Sequence, residues 1–254
     1  MLFGLSTLLA LGLPLATSGG LQGPQTPSIA LARVPLPADP ETEDPGTLAC
    51  RRDAEAGDRE AQTRLGSMLY LGEGVARDAV QAAAWFLRAA RAGDAQAQSV
   101  LAMMLEDGDG IPRDVGQAVA WFREAAQGGD VEAQVRLADH CYAGDPGPRD
   151  LPAARTWLSR AAEQGNAEAQ TKLGAMWLLG EGGPADGQEA ARWLRKAADQ
   201  GNAQAMGCLG TMLALGLGVP QDRQAAQGLL ERAAAAGDAQ AAATLRSLKG
   251  ASPS

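Results

Sequence analysis

The sequence predicts an all-α protein, an α/α solenoid (superhelix) of helix-turn-helix repeats, and three observations support this prediction. A glycine recurs every 36 residues without insertion or deletion, at Gly57, Gly93, Gly129, Gly165, Gly201 and Gly237. The composition is 46% hydrophobic but only 4% aromatic, as expected for an alanine-rich helical core. Apolar residues recur at helical spacing in every copy. A fixed period of this length is typical of copies that stack on one another.

Each copy starts with a first helix, helix A, whose beginning and end are both marked. An Asp or Asn follows each of these glycines, and such side chains accept hydrogen bonds from the free N–H groups of a helix start. Ala61 and Leu65 in the first copy stand four residues apart on one face, and the same pair recurs in every later copy. A second glycine, such as Gly72, is placed to close the helix with positive φ.

The second helix of each copy, helix B, begins after a turn. A second column of capping residues predicts its start, at Asp78, Asp114, Asp150, Asp186 and Asp222. Alanines along helix B allow close approach of neighbouring helices, while large rings fill the space between copies. We interpret the tryptophan stripe as core because it has the period of the repeat itself; it comprises Trp85, Trp121, Trp157 and Trp193.

These columns together resemble a known repeat. The run A-x-A-Q-x-x-L-G, then G-x-G-V, then D, then A-x-x-W-F-x-x-A-A is similar to the Sel1-like repeat, a relative of the tetratricopeptide repeat. The resemblance covers five copies, which start near 57, 93, 129, 165 and 201, and a terminal capping helix at 238–249. Leu229 replaces the tryptophan in the fifth copy. The resemblance implies an adaptor that holds other proteins in complexes, and it brings no catalytic motif.

The repeat domain is predicted to span residues 47–249, with other segments on both sides. Residues 1–18 contain an uncharged apolar run followed by small residues, and we predict a cleaved signal peptide. The run is shorter than the roughly 20 residues that span a bilayer. An uncleaved membrane anchor and a misassigned start codon are the alternatives. Residues 19–46 are predicted as a disordered linker rich in Pro and Gly, and 250–254 as a tail. The expected location is therefore periplasmic or secreted, without stable membrane insertion after cleavage.

The first residues of the repeat domain are predicted to form a capping half repeat. They align with the second half of a helix B, and Cys50 falls in the column of Phe86. Arg51, Arg52 and Asp53 replace mostly apolar neighbours, as expected for a cap with one face in water.

Charge and cysteine content restrict the possible partners and cofactors. The chain carries 22 Lys and Arg against 30 Asp and Glu, a net charge of −8, which argues against nucleic acid as a partner. Cys50, Cys141 and Cys208 stand in different copies, too far apart for disulfides or a shared metal. The acidic turn 107–110 lacks the further oxygen ligands of a calcium loop. We therefore predict no metal, no cofactor and no catalytic residue.

The surface that the stack exposes is the expected site of function. A helical wheel places three variable columns of helix A opposite the Ala61 and Leu65 face. Resemblance to tetratricopeptide-like solenoids implies that helix A lines a concave groove, which would bind a protein or peptide partner. The alternative is that these columns vary only because solvent leaves them unconstrained. The predicted partner-binding residues are Thr63, Ser67, Tyr70, Ser99, Met103, Glu106, Val135, Asp139, Tyr142, Thr171 and Leu178.

Two other functions compete with the adaptor. A hydrolase of cell-envelope or β-lactam-like amides would need converging groups in the groove, and only Glu106, Asp139 and His140 are placed to supply them. The column of His140 is otherwise methionine, which predicts instead a partly buried packing position. A cytosolic scaffold is the second rival, if residues 1–18 are not a signal.

An arginine ladder beside the turns is the last candidate feature. It consists of Arg77, Arg113 and Arg149. These side chains would either meet an acidic partner or pair with nearby carboxylates of the chain.

Overall fold

A computed structural model describes residues 43–250 of the chain. The predicted signal peptide, most of the predicted linker and residues 251–254 lie outside the described residues. Within 43–250 the chain forms helices and no strand, which confirms the predicted all-α solenoid. The helices are α1 (Pro45–Glu55), α2 (Arg59–Leu71), α3 (Ala79–Arg91), α4 (Ala95–Asp107), α5 (Val115–Gln127), α6 (Val131–Ala143), α7 (Leu151–Glu163), α8 (Ala167–Leu179), α9 (Gly187–Asp199), α10 (Ala203–Leu215), α11 (Arg223–Ala235) and α12 (Ala239–Gly250).

The helices belong to two alternating sets. The even-numbered helices, α2 to α12, are the helices A of the sequence, and the odd-numbered helices, α1 to α11, are the helices B. Each helix A packs on the helix B of its own copy and on the helix B of the preceding copy, as α4 does with α5 and α3. A single pair cannot bury its apolar surface alone, so the core runs along the stack.

The predicted caps fix the length of each helix. At the start of α4 the Asp94 carboxylate accepts a hydrogen bond from the Ala97 amide at 2.8 Å. At its end Gly108 has a φ of 77°, and its N–H donates to the Met104 carbonyl. Helix B starts in the same way, since Asp114 accepts from the Gln117 amide at 2.9 Å. Local interactions thus set the 13-residue length of α4 and keep the copies in register.

Large rings and small alanines build the core between the two sets. Trp85 and Trp121 are 0% and 1% exposed, and Phe86 and Phe122 are as deeply buried. Trp193 is buried and Trp157 is half-buried, so the tryptophan stripe is part of the core, as predicted. Complete burial of a leucine or an aromatic side chain stabilises the fold by roughly 1.5–3 kcal/mol.

A buried glutamine column joins successive copies. The amide of Gln98 donates to the carbonyl of Ala90 at 3.0 Å, near the end of the preceding helix B. Gln134 and Gln170 make the same bond to Ala126 and Ala162. Carbonyl groups at a helix end lack the regular partner four residues later, and each of these accepts from the glycine amide of the turn as well as from the glutamine side chain. The glutamine of the A-x-A-Q motif is therefore a structural tie between copies.

The glycines in the turn after helix A allow close contact with the preceding copy. Gly110 has a φ of 74°, and a Cβ at this position would lie 2.5 Å from the carbonyl carbon of Ala79, at the start of α3. Only glycine permits both that backbone conformation and that approach. The second glycine of the G-x-G pattern is thus required for packing of the turn against the preceding helix B.

The first helix begins earlier than the sequence indicated. α1 starts at Pro45, so the last two residues of the predicted linker, 45–46, belong to the helix. The Asp44 carboxylate accepts from the Thr47 amide at 2.7 Å, and proline is favourable in the first turn of a helix.

The capping half repeat also hides a charge that we expected in water. Arg51 is only 8% exposed, because its guanidinium pairs with Glu43. Glu43 lies two residues before the start of α1, so its side chain covers Arg51 on this side of the helix. The prediction of a water-facing Arg51 was wrong, since the alignment with the helix B columns could not include a partner outside the helix.

Candidate functional site on the helix A face

The structure corrects one of the three columns predicted to contact a partner. We call the exposed side of the even-numbered helices the helix A face. One column lies beneath it, with exposed fractions of 2% to 6%, so its members cannot touch a partner. The wheel failed because helix A packs on two helices B and exposes a narrower arc than half its surface. The buried members are Thr63, Ser99, Val135 and Thr171.

The other predicted residues reach the helix A face. Asp139 and Tyr142 are exposed, and Tyr142 keeps 38% of its surface in solvent. The half-buried members are Ser67, Tyr70, Met103, Glu106 and Leu178. The accessible part of the predicted site is thus formed by the last two turns of each helix A.

Tyr142 in α6 bridges to the next copy. Its hydroxyl lies 3.0 Å from both carboxylate oxygens of Glu181, in the turn after α8. The guanidinium of Arg149 lies over the ring of Tyr142, 4.7 Å from its centroid, and the Arg149 Nε donates to the Tyr142 carbonyl at 2.7 Å. The hydrogen bond to Glu181 raises the pKa of Tyr142 above its ordinary value. The phenol therefore remains a donor to this carboxylate at neutral pH.

A cavity of about 310 Å³ opens beside this bridge. α6, α7, α8 and the turn after α8 enclose it. Its floor is apolar, and its rim carries the polar groups of Asp139, Tyr142, Lys172 and Glu181. The apolar lining residues are Ala138, Leu158, Ala175, Met176 and Leu179. Mixed linings of this kind, a hydrophobic floor with a few placed polar groups, are typical of binding sites.

Lys172 neutralises one side of the rim. Its Nζ lies 2.7 Å from Asp139 in the preceding copy and 2.7 Å from Glu168 in its own helix. Burial lowers the pKa of Lys172, but the hydrogen bonds to both carboxylates outweigh this effect and raise it overall. Lys172 therefore stays charged and is already engaged with the protein's own acids.

The first and second copies contain a counterpart of the bridge, 72 positions earlier. Tyr70, Asp109 and Arg77 correspond to Tyr142, Glu181 and Arg149. Burial, and then a hydrogen bond to Asp109, raise the pKa of Tyr70. Here, however, Arg77 Nη2 lies 2.7 Å from the Asp109 carboxylate.

The two bridges therefore differ in charge. The first holds an ion pair between Arg77 and Asp109. Within the described range, no Lys, Arg or His nitrogen lies within ion-pair distance of Glu181 in the second. The second bridge thus presents a carboxylate without a direct ion pair, because its arginine, Arg149, lies over the tyrosine ring instead.

The arginine ladder has a structural role in the turns. Arg77, Arg113 and Arg149 each donate through Nε to a carbonyl seven residues earlier, at 2.7 to 3.0 Å. These carbonyls belong to Tyr70, Glu106 and Tyr142, near the end of each helix A. The ladder therefore closes the turns, and Arg77 alone of the three also pairs with a carboxylate within the described residues.

The groups named for a hydrolase do not converge as that reaction needs. Glu106 Oε1 lies 3.3 Å from His140 Nε2, and the other ring nitrogen of His140 contacts the Asp145 carbonyl at 2.7 Å. Asp139 instead pairs with Lys172. The His140 side chain is only 9% exposed, in agreement with its predicted packing position. Both of its nitrogens thus hold structural contacts, and the geometry gives the hydrolase no support.

A second cavity, of about 700 Å³, lies at the end of the stack. α8, α10 and α12 enclose it, and its lining includes Leu178, Leu217, Met212 and Cys208. Leu178 and Leu217 stand in the same columns as Tyr142 and Glu181, one copy further on. The helix A face is therefore polar between the third and fourth copies and apolar between the fourth and fifth.

The described residues contain no metal-binding cluster, and their cysteines form no disulfide. No group of three or more His, Cys, Asp or Glu residues there could hold a metal ion. The thiols of Cys50, Cys141 and Cys208 are free, and burial raises the pKa of each. None of the helices of residues 43–250 is long and apolar enough to cross a membrane.

Comparison with protein families identifies the repeat. The Sel1 repeat model matches five consecutive segments, 59–94, 95–130, 131–166, 167–202 and 203–238. The chain belongs to the Sel1 repeat family. Sel1 repeat proteins generally mediate protein–protein interactions and are typically non-catalytic scaffolds. A comparison with curated proteins found no match.

Solved structures of other Sel1 repeat proteins share the fold. A protective antigen of uropathogenic Escherichia coli strains, which displays this fold, is 37% identical with a TM-score of 0.74. That match covers 77% of this chain but only 42% of the antigen, so this chain spans less than half of that protein. A Sel1 repeat protein from Oxalobacter formigenes is 26% identical with a TM-score of 0.69, over 80% of this chain and 87% of its own.

Sequence reasoning missed residues that the Sel1 stack brings to the site from a neighbouring copy. Glu181, Lys172 and Leu179 were not among the predicted contacts, although all three line the first cavity. Tyr142 and Glu181 are 39 residues apart, which is one period plus three. The recurrence of Tyr, acid and Arg at equivalent positions 72 residues apart was the signal that could have revealed the bridge.

Proposed function

We propose that this Sel1 repeat protein is a non-catalytic adaptor that binds a partner protein or peptide along its helix A face. The observation that carries the proposal is the cavity between α6 and α8, with its apolar floor, its Tyr142 and Glu181 rim and its exposed Leu179. Aromatic and apolar groups that remain accessible around a pocket are frequent anchors of protein interfaces.

The second cavity supports the same face. Helices A contribute most of the lining of both cavities, so the two openings lie on one side of the stack. Leu217, which lines the second cavity, is 42% exposed. Exposed apolar groups that adjoin a cavity are typical of surfaces that bind other proteins. A segment that follows the helix A face would contact both cavities, in the manner of the groove that the resemblance implies.

Affinity capture from native cells tests the adaptor. The bait is the wild-type protein or the double variant Tyr142→Ala, Leu179→Ser, and circular dichroism verifies that both are helical. We expect a protein captured by the wild type to be lost with the double variant. The matched control is Val80→Ser, because Val80 is 43% exposed at the start of a helix B. A protein retained by the double variant and lost with Val80→Ser would move the site to the helix B face and overturn the proposal.

We further propose that the protein works outside the cytoplasm, after removal of residues 1–18. The uncharged apolar run and the small residues that follow it support this location. The mass of the mature protein purified from native cells tests it. A mass that begins after residue 18 is expected, whereas an intact Met1 would exclude cleavage and favour the membrane-anchored or cytosolic alternative.

A further inference from the structure

We propose that the cavity between α6 and α8 takes a lysine or arginine side chain of the partner, and that the adjoining cavity takes an apolar side chain of the same segment. This inference rests on the proposed adaptor function and adds the chemistry of the segment. It follows from the distribution of charge and apolar surface around Tyr142, Glu181 and the end of α8.

The uncompensated carboxylate defines the first position. Glu181 is fixed by the Tyr142 hydroxyl at 3.0 Å, and its carboxylate forms no direct ion pair within the described residues, since Arg149 lies over the Tyr142 ring instead. At the equivalent Asp109 the chain supplies its own cation, Arg77, at 2.7 Å. A carboxylate held by a neutral donor lacks a counter-charge, and a basic group from a partner would supply it.

The floor of the cavity fits the rest of such a side chain. Leu158 and Met176 are 3% and 2% exposed at its base, and Leu179 stands at its edge with 68% of its surface in solvent. Lysine and arginine combine an apolar stem with a charged tip, so the stem would lie on this floor while the tip reaches the rim. A wholly apolar side chain would bring no counter-charge to Glu181, and an acidic one would be repelled.

The end of α8 connects the two cavities. Leu179 lines the first cavity and its neighbour Leu178 lines the second. Leu217 and Met212 continue the second lining, and the equivalents of the Tyr142 and Glu181 bridge are two leucines there. A partner segment that places a basic residue in the first cavity therefore places one of its neighbouring residues over the apolar lining of the second cavity.

Long-range electrostatics favour the same partner. The chain carries a net charge of −8, so a basic segment is attracted before it makes contact. The attraction should weaken with added salt because exposed charges are screened.

Selection from a linear random-peptide library displayed on phage tests the chemistry. The immobilised proteins are the full chain as wild type and as Glu181→Gln. Glutamine keeps an acceptor for Tyr142 but removes the charge. We expect the wild type to enrich peptides that combine Lys or Arg with a nearby large apolar residue. With Glu181→Gln we expect the basic preference to disappear and the apolar preference to remain.

A selected peptide then measures the affinity. In fluorescence anisotropy, Glu181→Gln should weaken binding about five- to tenfold and reduce its salt dependence. Asp109→Asn is the matched control, because it is the same change at the equivalent bridge, and it should leave the affinity unchanged. Leu217→Ser should weaken binding and keep the salt dependence, since it alters only the apolar position.

The outcomes separate this inference from the proposed function. Enriched peptides without basic residues, or equal affinities for wild type and Glu181→Gln, would overturn the inference and leave the adaptor standing. If Asp109→Asn weakened peptide binding as much as Glu181→Gln does, the assignment to the cavity between α6 and α8 would be overturned. If no peptide is enriched and native capture also fails, the adaptor itself is refuted, and the inference with it.

Discussion

The Tyr142 hydroxyl and the Glu181 carboxylate, 39 residues apart in the chain, lie 3.0 Å from each other across the boundary between the third and fourth copies. The bond joins the end of α6 to the turn after α8. It therefore fixes a charged group at the rim of a cavity that neither copy forms alone. A stacked repeat can in this way create a site at the junction of two copies, while each copy keeps its own core.

Tyrosine titration should report this bridge directly. The chain has two tyrosines, so Tyr70→Phe leaves Tyr142 as the sole titrating phenol. Tyrosinate absorbance should rise at a pH above the ordinary tyrosine pKa of about 10, because the bond to Glu181 favours the neutral phenol. A raised folded-state pKa also means that this stabilisation is present below the ordinary pKa and is lost as the pH rises through the folded value.

A second variant tests whether the charge of Glu181 causes the raised pKa of Tyr142. Adding Glu181→Gln to Tyr70→Phe should move the titration midpoint down, towards the ordinary value. Adding Asp109→Asn to the same background should leave it unchanged, because Asp109 belongs to the other bridge. An unchanged midpoint with Glu181→Gln would show that the carboxylate does not hold the phenol in solution.

The fold was predictable because its signals are local and repeated. Asp94 and Gly108 act within one helix, and each has an equivalent at the same place in the other copies. A cap needs only a short side chain and a nearby amide, both of which the sequence places. The periodic apolar columns can be buried only if the copies stack, and in that stack Leu101 and Trp85 are buried in one core.

The candidate site was predicted only in part because its geometry depends on neighbouring helices. A wheel of one helix placed Thr63 and Val135 on the surface, but the packing of two helices B buries them. Glu181 was missed since its role arises between copies. Arg51 was misjudged because its partner, Glu43, lies just before its helix and outside the repeat columns.

Truncation of a core leucine should destabilise the whole stack. Leu137 is 1% exposed in the middle of α6, so Leu137→Ala should lower the free energy of unfolding by about 3 kcal/mol through lost burial and the cavity left behind. Leu179→Ala removes the same atoms from a side chain that is 68% exposed, and it should change stability by less than about 0.5 kcal/mol. Urea unfolding followed by circular dichroism measures both, and similar losses would contradict the burial difference.

The glutamine column should contribute measurably to stability. Gln98→Met keeps the length of the side chain but removes the donor to the Ala90 carbonyl, so we expect a loss of about 1 kcal/mol. The loss is moderate because the Gly93 amide also donates to that carbonyl. Gln96→Met, at an exposed position of the same helix, should be nearly neutral. Equal effects of the two substitutions in thermal unfolding would show that the bond between copies adds nothing.

Two glycines with the same backbone conformation should respond differently to alanine. Gly93 has a φ of 83° and open space around it, so Gly93→Ala should cost only the backbone strain, about 1 kcal/mol. Gly110 has a φ of 74°, but a Cβ there meets the Ala79 carbonyl group at 2.5 Å, and Gly110→Ala should cost about 2 kcal/mol more. Urea unfolding of both variants measures the difference. If the two losses were equal, the backbone conformation alone would explain the glycine at 110, and the close contact of its turn with α3 would not be needed to account for it.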